Sequence, residues 1–159
     1  MNEEPKSGKS PYQQNLSKAM RFCAYQERTQ QEVREKLAGL GVWGDEAEEM
    51  ISRLITENFI NEERYAKTYA GGKFRLKKWG RMKILQGLKQ KGISEYSIKK
   101  GMQEIESDLY IQTLENLLEE KSRMEKEKNP YKRKHKISLY LIGKGYEPDL
   151  VWELLRKEL

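Results

Sequence analysis

Apolar residues recur at helical spacing through nearly the whole chain. Leu16, Met20, Cys23 and Ala24 share one face of an opening helix, following the i, i+4, i+7, i+8 pattern of a buried stripe. Thr29 is placed to cap a second helix, with Glu32 at the capping-box position. Its stripe is Val33, Leu37 and Leu40, and Gly41 is suited to end it in a left-handed conformation. Asp45 is the next expected cap, ahead of a stripe of Ala47, Met50, Ile51, Leu54 and Ile55. Residues 58–61 interrupt this run, and 62–73 read as a bridging helix that buries Tyr65, Ala66 and Tyr69. The same order then returns. Ile84, Leu85 and Leu88 lead to Gly92, Ser94 caps, and Ile98, Met102 and Ile105 follow. A second bridge carries Leu109, Tyr110, Leu114, Leu117 and Leu118. Asn129-Pro130 breaks it, since proline disfavours helix at the residue before it. The last segment runs from about Tyr131 to a stripe of Val151, Trp152, Leu154 and Leu155.

The glycines Gly41, Gly92 and Gly145 lie 51 and 53 residues apart, each four residues after a leucine (Leu37, Leu88, Leu141). The flanks keep register too: Val33, Ile84 and Ile137 stand eight residues before the glycine, and Ala47, Ile98 and Val151 six after it. A fixed period of this size predicts an all-α, elongated, curved array of three tandem three-helix, helix-turn-helix-like repeats. The expected layout is a disordered arm over 1–14, a first repeat with its leading helix over 15–60, a second over 61–107 and a third over 108–159. Such an array leaves little room for one deep catalytic pocket.

Composition supports a thin, helical, non-membrane protein. Charged residues make up 35% of the chain and hydrophobic ones only 36%, with four prolines. The single cysteine, Cys23, excludes an internal disulfide and fits a reducing compartment. No apolar run reaches membrane-spanning length and residues 1–10 lack a signal peptide's apolar stretch, so a soluble, cytoplasmic and monomeric protein is expected.

The net charge of +6 is unevenly spread. Between Arg64 and Ser94 stand ten basic residues and no acid. Helix surfaces ordinarily mix signs to gain i,i+4 pairs, so this block points to a polyanionic or acidic partner. At its centre is Lys73-Phe74-Arg75-Leu76-Lys77-Lys78-Trp79-Gly80-Arg81. Arg64, Lys73, Arg75, Lys77, Lys78, Arg81 and Lys83 are the candidate electrostatic contacts, with Trp79 either a stacking platform or a packing residue. Arg64 has a rival structural role, an ion pair with Glu62 or Glu63. Gly71-Gly72 either loosens the end of the bridging helix or admits another chain. An acidic stretch over 103–120 and a second basic one over 121–136 follow.

Catalytic and metal-binding signals are missing from the pattern. His135 is the only histidine, sits in a basic run and reads as a surface residue. With Cys23 it cannot make a zinc site of three or four such ligands. No phosphate-loop motif occurs. No enzyme and no cofactor are expected.

The run Phe59-Ile60-Asn61-Glu62-Glu63-Arg64-Tyr65-Ala66, followed by Lys78-Trp79-Gly80-Arg81-Met82-Lys83-Ile84 and Leu88-Lys89-Gln90-Lys91-Gly92-Ile93, resembles the RecX family of RecA regulators. Upstream, Glu32-Val33-Arg34-Glu35-Lys36-Leu37 is similar to that family's first-repeat motif. Asn61 departs from the commoner Asp, and residues 119–133 are unusually charged. The resemblance implies a non-enzymatic protein of DNA repair, homologous recombination and the SOS response. It would bind RecA and its single-stranded DNA filament, with duplex DNA a further possible ligand, and restrain ATP hydrolysis and strand exchange. Two other readings stay open. A sequence-specific helix-turn-helix protein would need Arg, Asn or Gln at the start of its recognition helix, where this chain has Asp45-Glu46 and Ser94-Glu95. A plain helical scaffold would pair its charge blocks with one another.

Overall fold

The computed structural model describes residues 8–157, and these are all-helical. Nine helices lie among the described residues: α1 (Pro11–Tyr25), α2 (Gln30–Gly39), α3 (Gly44–Thr56), α4 (Glu62–Lys77), α5 (Arg81–Gln90), α6 (Glu95–Met102), α7 (Ser107–Met124), α8 (Pro130–Gly143) and α9 (Pro148–Lys157). They form three tandem three-helix domains, α1–α3, α4–α6 and α7–α9. Residues 1–7 of the expected arm lie outside the described residues. Residues 11–14, assigned to that arm by composition, are the first turn of α1. Ser10 caps it with a reciprocal Ser10–Gln13 box and Pro11 opens it, a combination that satisfies the orphan N–H groups of a helix start.

The repeated glycine is a repeated helix stop. Gly41, Gly92 and Gly145 have φ of 84°, 75° and 105°. In each case the glycine N–H and the next N–H fold back onto the helix. Val42 N–H reaches Leu37 O at 2.8 Å, Ile93 N–H reaches Leu88 O at 3.2 Å and Tyr146 N–H reaches Leu141 O at 3.2 Å. This is the Schellman closure, in which the residue after the glycine also packs on the leucine that accepts its bond. Leu37, Leu88 and Leu141 are wholly buried, and Val42, Ile93 and Tyr146 nearly so. The constant leucine–glycine spacing is thus set by one hydrogen-bonded turn. Asn58, at φ 66°, closes α3 the same way, with Phe59 N–H on Leu54 O at 2.8 Å.

Several expected boundaries move. Thr29 and Ser94 do cap α2 and α6, accepting from Glu32 N–H and Ser97 N–H. Asp45 does not cap α3: Trp43 stands at the N-cap without a side-chain bond, and Asp45 lies in the first turn. Ala24 and Ile55 are exposed rather than part of their stripes, because Ala19 and Leu54 take the inward positions. Gly71-Gly72 does not loosen α4, which continues to Lys77. Ala70 before the pair and Phe74 after it are buried and hold the helix down.

The chain divides into two compact units, residues 1–65 and 66–159, the division falling within the first turns of α4. In the first unit Leu16, Ala19, Cys23, Val33, Leu37, Val42, Ala47, Met50, Ile51, Leu54 and Ile60 form one core. Burial pushes the Cys23 thiol up to about 11, so it is an inert packing group. In the second unit the middle and last domains are joined at a close backbone approach. Gly80 N–H donates to Lys144 O and Met82 N–H to Gly145 O, both at 2.8 Å. A Cβ on Gly80 would lie 2.2 Å from the carbonyl carbon of Gly145. Beside this joint Tyr110 stacks against Tyr146 and Phe74, with centroids 5.1 and 5.8 Å apart.

Candidate nucleic-acid and partner interface

On α4, Ala66, Ala70 and Phe74 face inward at four-residue spacing. The residues that follow Phe74 in the last turn, Arg75, Leu76 and Lys77, point outward, and Leu76 is 85% exposed. The helix ends at Lys78, whose left-handed φ of 58° is unusual for a residue with a side chain. The third domain holds this turn: the Tyr146 hydroxyl donates to Lys78 O at 2.8 Å. The reversal brings Trp79 against two lysines. Lys73 Nζ lies 4.8 Å and Lys83 Nζ 4.4 Å from the indole centroid. Lys73 also stands 5.5 Å from the Tyr69 ring, and Lys91 approaches that ring at 6.0 Å.

Ammonium groups over aromatic faces gain about 0.5–1 kcal/mol each at exposed sites. They also lose some freedom, so the two rings fix a cluster of positive charge on the second unit. Trp79 is half-buried: it is both a packing residue and the base on which Lys73 and Lys83 are arranged. Sequence reasoning placed Tyr69 in the core. It is only partly buried, and the signal that would have found it is Lys73 at i+4. Beside the cluster an open groove of about 520 Å³ runs between α5 and α8, lined by Met82, Lys83, Gln86 and Lys89 on one side and Ile142 and Gly143 on the other. Its α8 wall begins 53 residues after Lys89 in the sequence and carries no local signal.

Two of the eight candidate residues are occupied within the fold. Arg64 belongs to the first unit. Its Nε bonds both Glu27 carboxylate oxygens at 2.6 and 2.8 Å, and its Nη2 reaches the carbonyls of Asn58 and Phe59 at 3.0 and 3.4 Å. Its structural role is therefore real, although the partner is Glu27, 37 residues earlier. Arg81 lies 3.8 Å over the Tyr110 ring and pairs with Glu147 at 3.0 Å. The Tyr110 hydroxyl accepts from Arg81 N–H at 3.0 Å and donates to the Glu147 carboxylate. Burial, then that bond to Glu147, raises the Tyr110 hydroxyl well above its ordinary range. Burial, then the Glu147 charge, does the same to Tyr146.

The remaining six gather on the second unit: Lys73, Arg75, Lys77, Lys78 and Trp79 from the end of α4 and its turn, and Lys83 from the first turn of α5. Among the described residues none of the five cations forms an ion pair. No group of three His, Cys, Asp or Glu able to hold a metal occurs among the described residues, and no helix among them is long and apolar enough to cross a membrane. His135 is exposed.

Comparison with known proteins finds matches over all three domains. Residues 16–54 match the RecX first three-helix domain, 61–102 the second and 108–155 the third. The regulatory protein RecX of Clostridium perfringens strain 13 is 33% identical over 141 residues, which cover 87% of this chain and 66% of that protein. That of Bacillus cytotoxicus is 30% identical, with 84% of this chain covering 49% of the relative. The chain thus spans between about half and two thirds of the length of these relatives. It covers 96% of the Salmonella typhimurium protein at 27% identity. In fold, the crystal structure of RecX from Lactobacillus salivarius agrees at a TM-score of 0.82, over 92% of this chain and 96% of that one, at 24% identity. With each of its three helical domains matched in order, this chain belongs to the RecX family.

Proposed function

We propose that this protein regulates RecA by binding the recombinase filament on single-stranded DNA and restraining its ATP hydrolysis, without catalysing a reaction itself. The relatives carry the name regulatory protein RecX, and the observation that turns the name into a mechanism is the unpaired basic cluster of the second unit. Lys73, Arg75, Lys77, Lys78 and Lys83, arranged around Trp79, supply the electrostatic contacts with DNA phosphates or an acidic protein surface. Arg64 and Arg81 serve the fold. Tandem domains allow one chain to touch successive subunits of a polymer, which strengthens binding without any single tight contact.

The test is the single-strand-dependent ATPase of RecA, titrated with this protein at amounts well below RecA. Strong inhibition at such ratios supports action on the filament, whereas inhibition only at DNA-saturating amounts would mean simple sequestration. The double reversal Lys77→Glu with Lys78→Glu should weaken inhibition by about tenfold or more, given that each neutralised phosphate adds steeply to salt-dependent affinity. Arg81 is left unaltered in this variant, because reversing it would set two carboxylates together at Glu147. Unchanged inhibition would remove the basic cluster from the mechanism.

A further inference from the structure

The three domains are built on one plan, so each position has two counterparts for comparison. Two residues after the turn glycine comes the N-cap of the domain's last helix. In the middle domain this is Ser94, whose hydroxyl accepts from Ser97 N–H at 3.3 Å. In the last domain it is Glu147, engaged by Arg81 and Tyr110. In the first domain it is Trp43, which makes no capping bond and is 70% exposed. The following position repeats the contrast. Glu95 and Pro148 are good first-turn residues, but Gly44 stands there with φ of 66°.

A polar cap in place of an apolar residue is worth about 1 kcal/mol, and glycine is a poor helix former. The first domain therefore gives up stability at the start of α3 and leaves an indole in solvent. The rest of α3 obeys every local rule, burying Ala47, Met50, Ile51 and Leu54 along one stripe. A local rule broken inside an otherwise consistent element is where function is expected to lie.

Charge decides what covers the indole. Asp45, Glu46 and Glu49 are exposed in the first two turns of α3. Glu48 is neutralised by Arg34 at 2.6 and 3.1 Å, while among the described residues no ion pair engages the other three. Residues 1–65 hold nine Lys and Arg against twelve Asp and Glu, and residues 66–159 hold twenty-two against thirteen. Phosphates are repelled from such a surface. A protruding tryptophan, by contrast, is the residue type most enriched at the centres of protein–protein interfaces.

We propose that Trp43 anchors the first unit to a protein surface, filling an apolar socket edged with Lys and Arg, while nucleic acid falls to the basic cluster of the second unit. The identity of that protein, a RecA subunit of the filament, rests on the function proposed above. The test uses the full chain and the variant Trp43→Ser, which installs the residue the middle domain has at the same place. Binding is measured to RecA filaments on single-stranded DNA and to the naked strand. The variant should lose about tenfold or more in filament affinity, keep its affinity for naked DNA, and melt no lower than the parent. The charge reversal Asp45→Lys with Glu46→Lys should weaken filament binding likewise and strengthen naked-strand binding. Equal losses of Trp43→Ser on filament and naked strand would make the indole a base-stacking group and overturn the proposal. So would unchanged filament binding in a parent that binds filaments. A parent that binds no filament would overturn the RecA reading first, and the docking surface with it.

Discussion

Single residues divide here by whether the backbone or the side chain sets their identity. Asn61 accepts from Arg64 N–H at 2.9 Å and its amide donates to Asn58 Oδ1 at 3.0 Å. An aspartate at this position caps equally well but cannot make the second bond. Gly80 and Gly143 form a sharper pair. A methyl group on Gly80 would collide with backbone at 2.2 Å, where nothing flexible yields, whereas one on Gly143 meets nothing within 4 Å. Gly80→Ala should therefore destabilise by more than the ~1–3 kcal/mol of ordinary overpacking. Gly143→Ala, in the last turn of α8, should be neutral or stabilising by up to about 1 kcal/mol. Urea unfolding of both variants checks this, and equal midpoints would remove the close approach as the joint between the last two domains.

At the scale of elements, the helix stops carry the architecture. Three close on glycine and one on Asn58, but α4 closes on Lys78 with a β-carbon in the left-handed region, a strain of about 1–2 kcal/mol. The Tyr146 hydroxyl and the packing of Trp79 compensate for it. Lys78→Gly is expected to raise unfolding stability by about 1 kcal/mol and, by removing one cation of the cluster, to reduce the salt-dependent DNA affinity proposed above. A calorimetric melt and a salt titration on the same sample read both. A fall in the melting temperature would show that the lysine stem packs more than the backbone is strained. Sequence alone could not reveal this turn, because lysine is not a turn residue and the partner that stabilises it lies 68 positions downstream.

For the molecule as a whole, buried protonated groups set an alkaline limit. The Cys23 thiol is raised from 9.0 to about 11 in the first unit, and Tyr110 and Tyr146 are raised above 10.0 in the second. In each case the folded state holds its proton more tightly than the unfolded chain. The stabilisation is complete below the unfolded values and is lost as pH climbs from there toward the folded ones. Stability should thus begin to fall above pH 9, with a steeper fall above pH 10. Cys23→Ala should remove the earlier part, and Tyr110→Phe should flatten the later one. Denaturant midpoints across this range measure both slopes, and a profile unaffected by either substitution would count against these groups.

What the sequence determined by itself was set by short-range rules, with two local exceptions: the Ser10–Gln13 box opens α1 inside the expected arm, and Asp45 lies in the first turn of α3 instead of capping it. Helical stripes, the leucine–glycine stops, the caps at Thr29 and Ser94, the break at Asn129-Pro130 and the three-domain order all depend on residues within a few positions of one another. Hydrogen bonding and the 3.6-residue period make such rules local. Tertiary structure alone decided which cations are available. Arg64 and Arg81 look like their basic neighbours until Glu27 and Glu147, 37 and 66 positions away, close on them. It also decided that Gly80 and Gly101, not Gly71 or Gly72, lie against the backbone of a distant segment. These outcomes depend on which distant groups folding brings within hydrogen-bonding distance, and no local pattern encodes that.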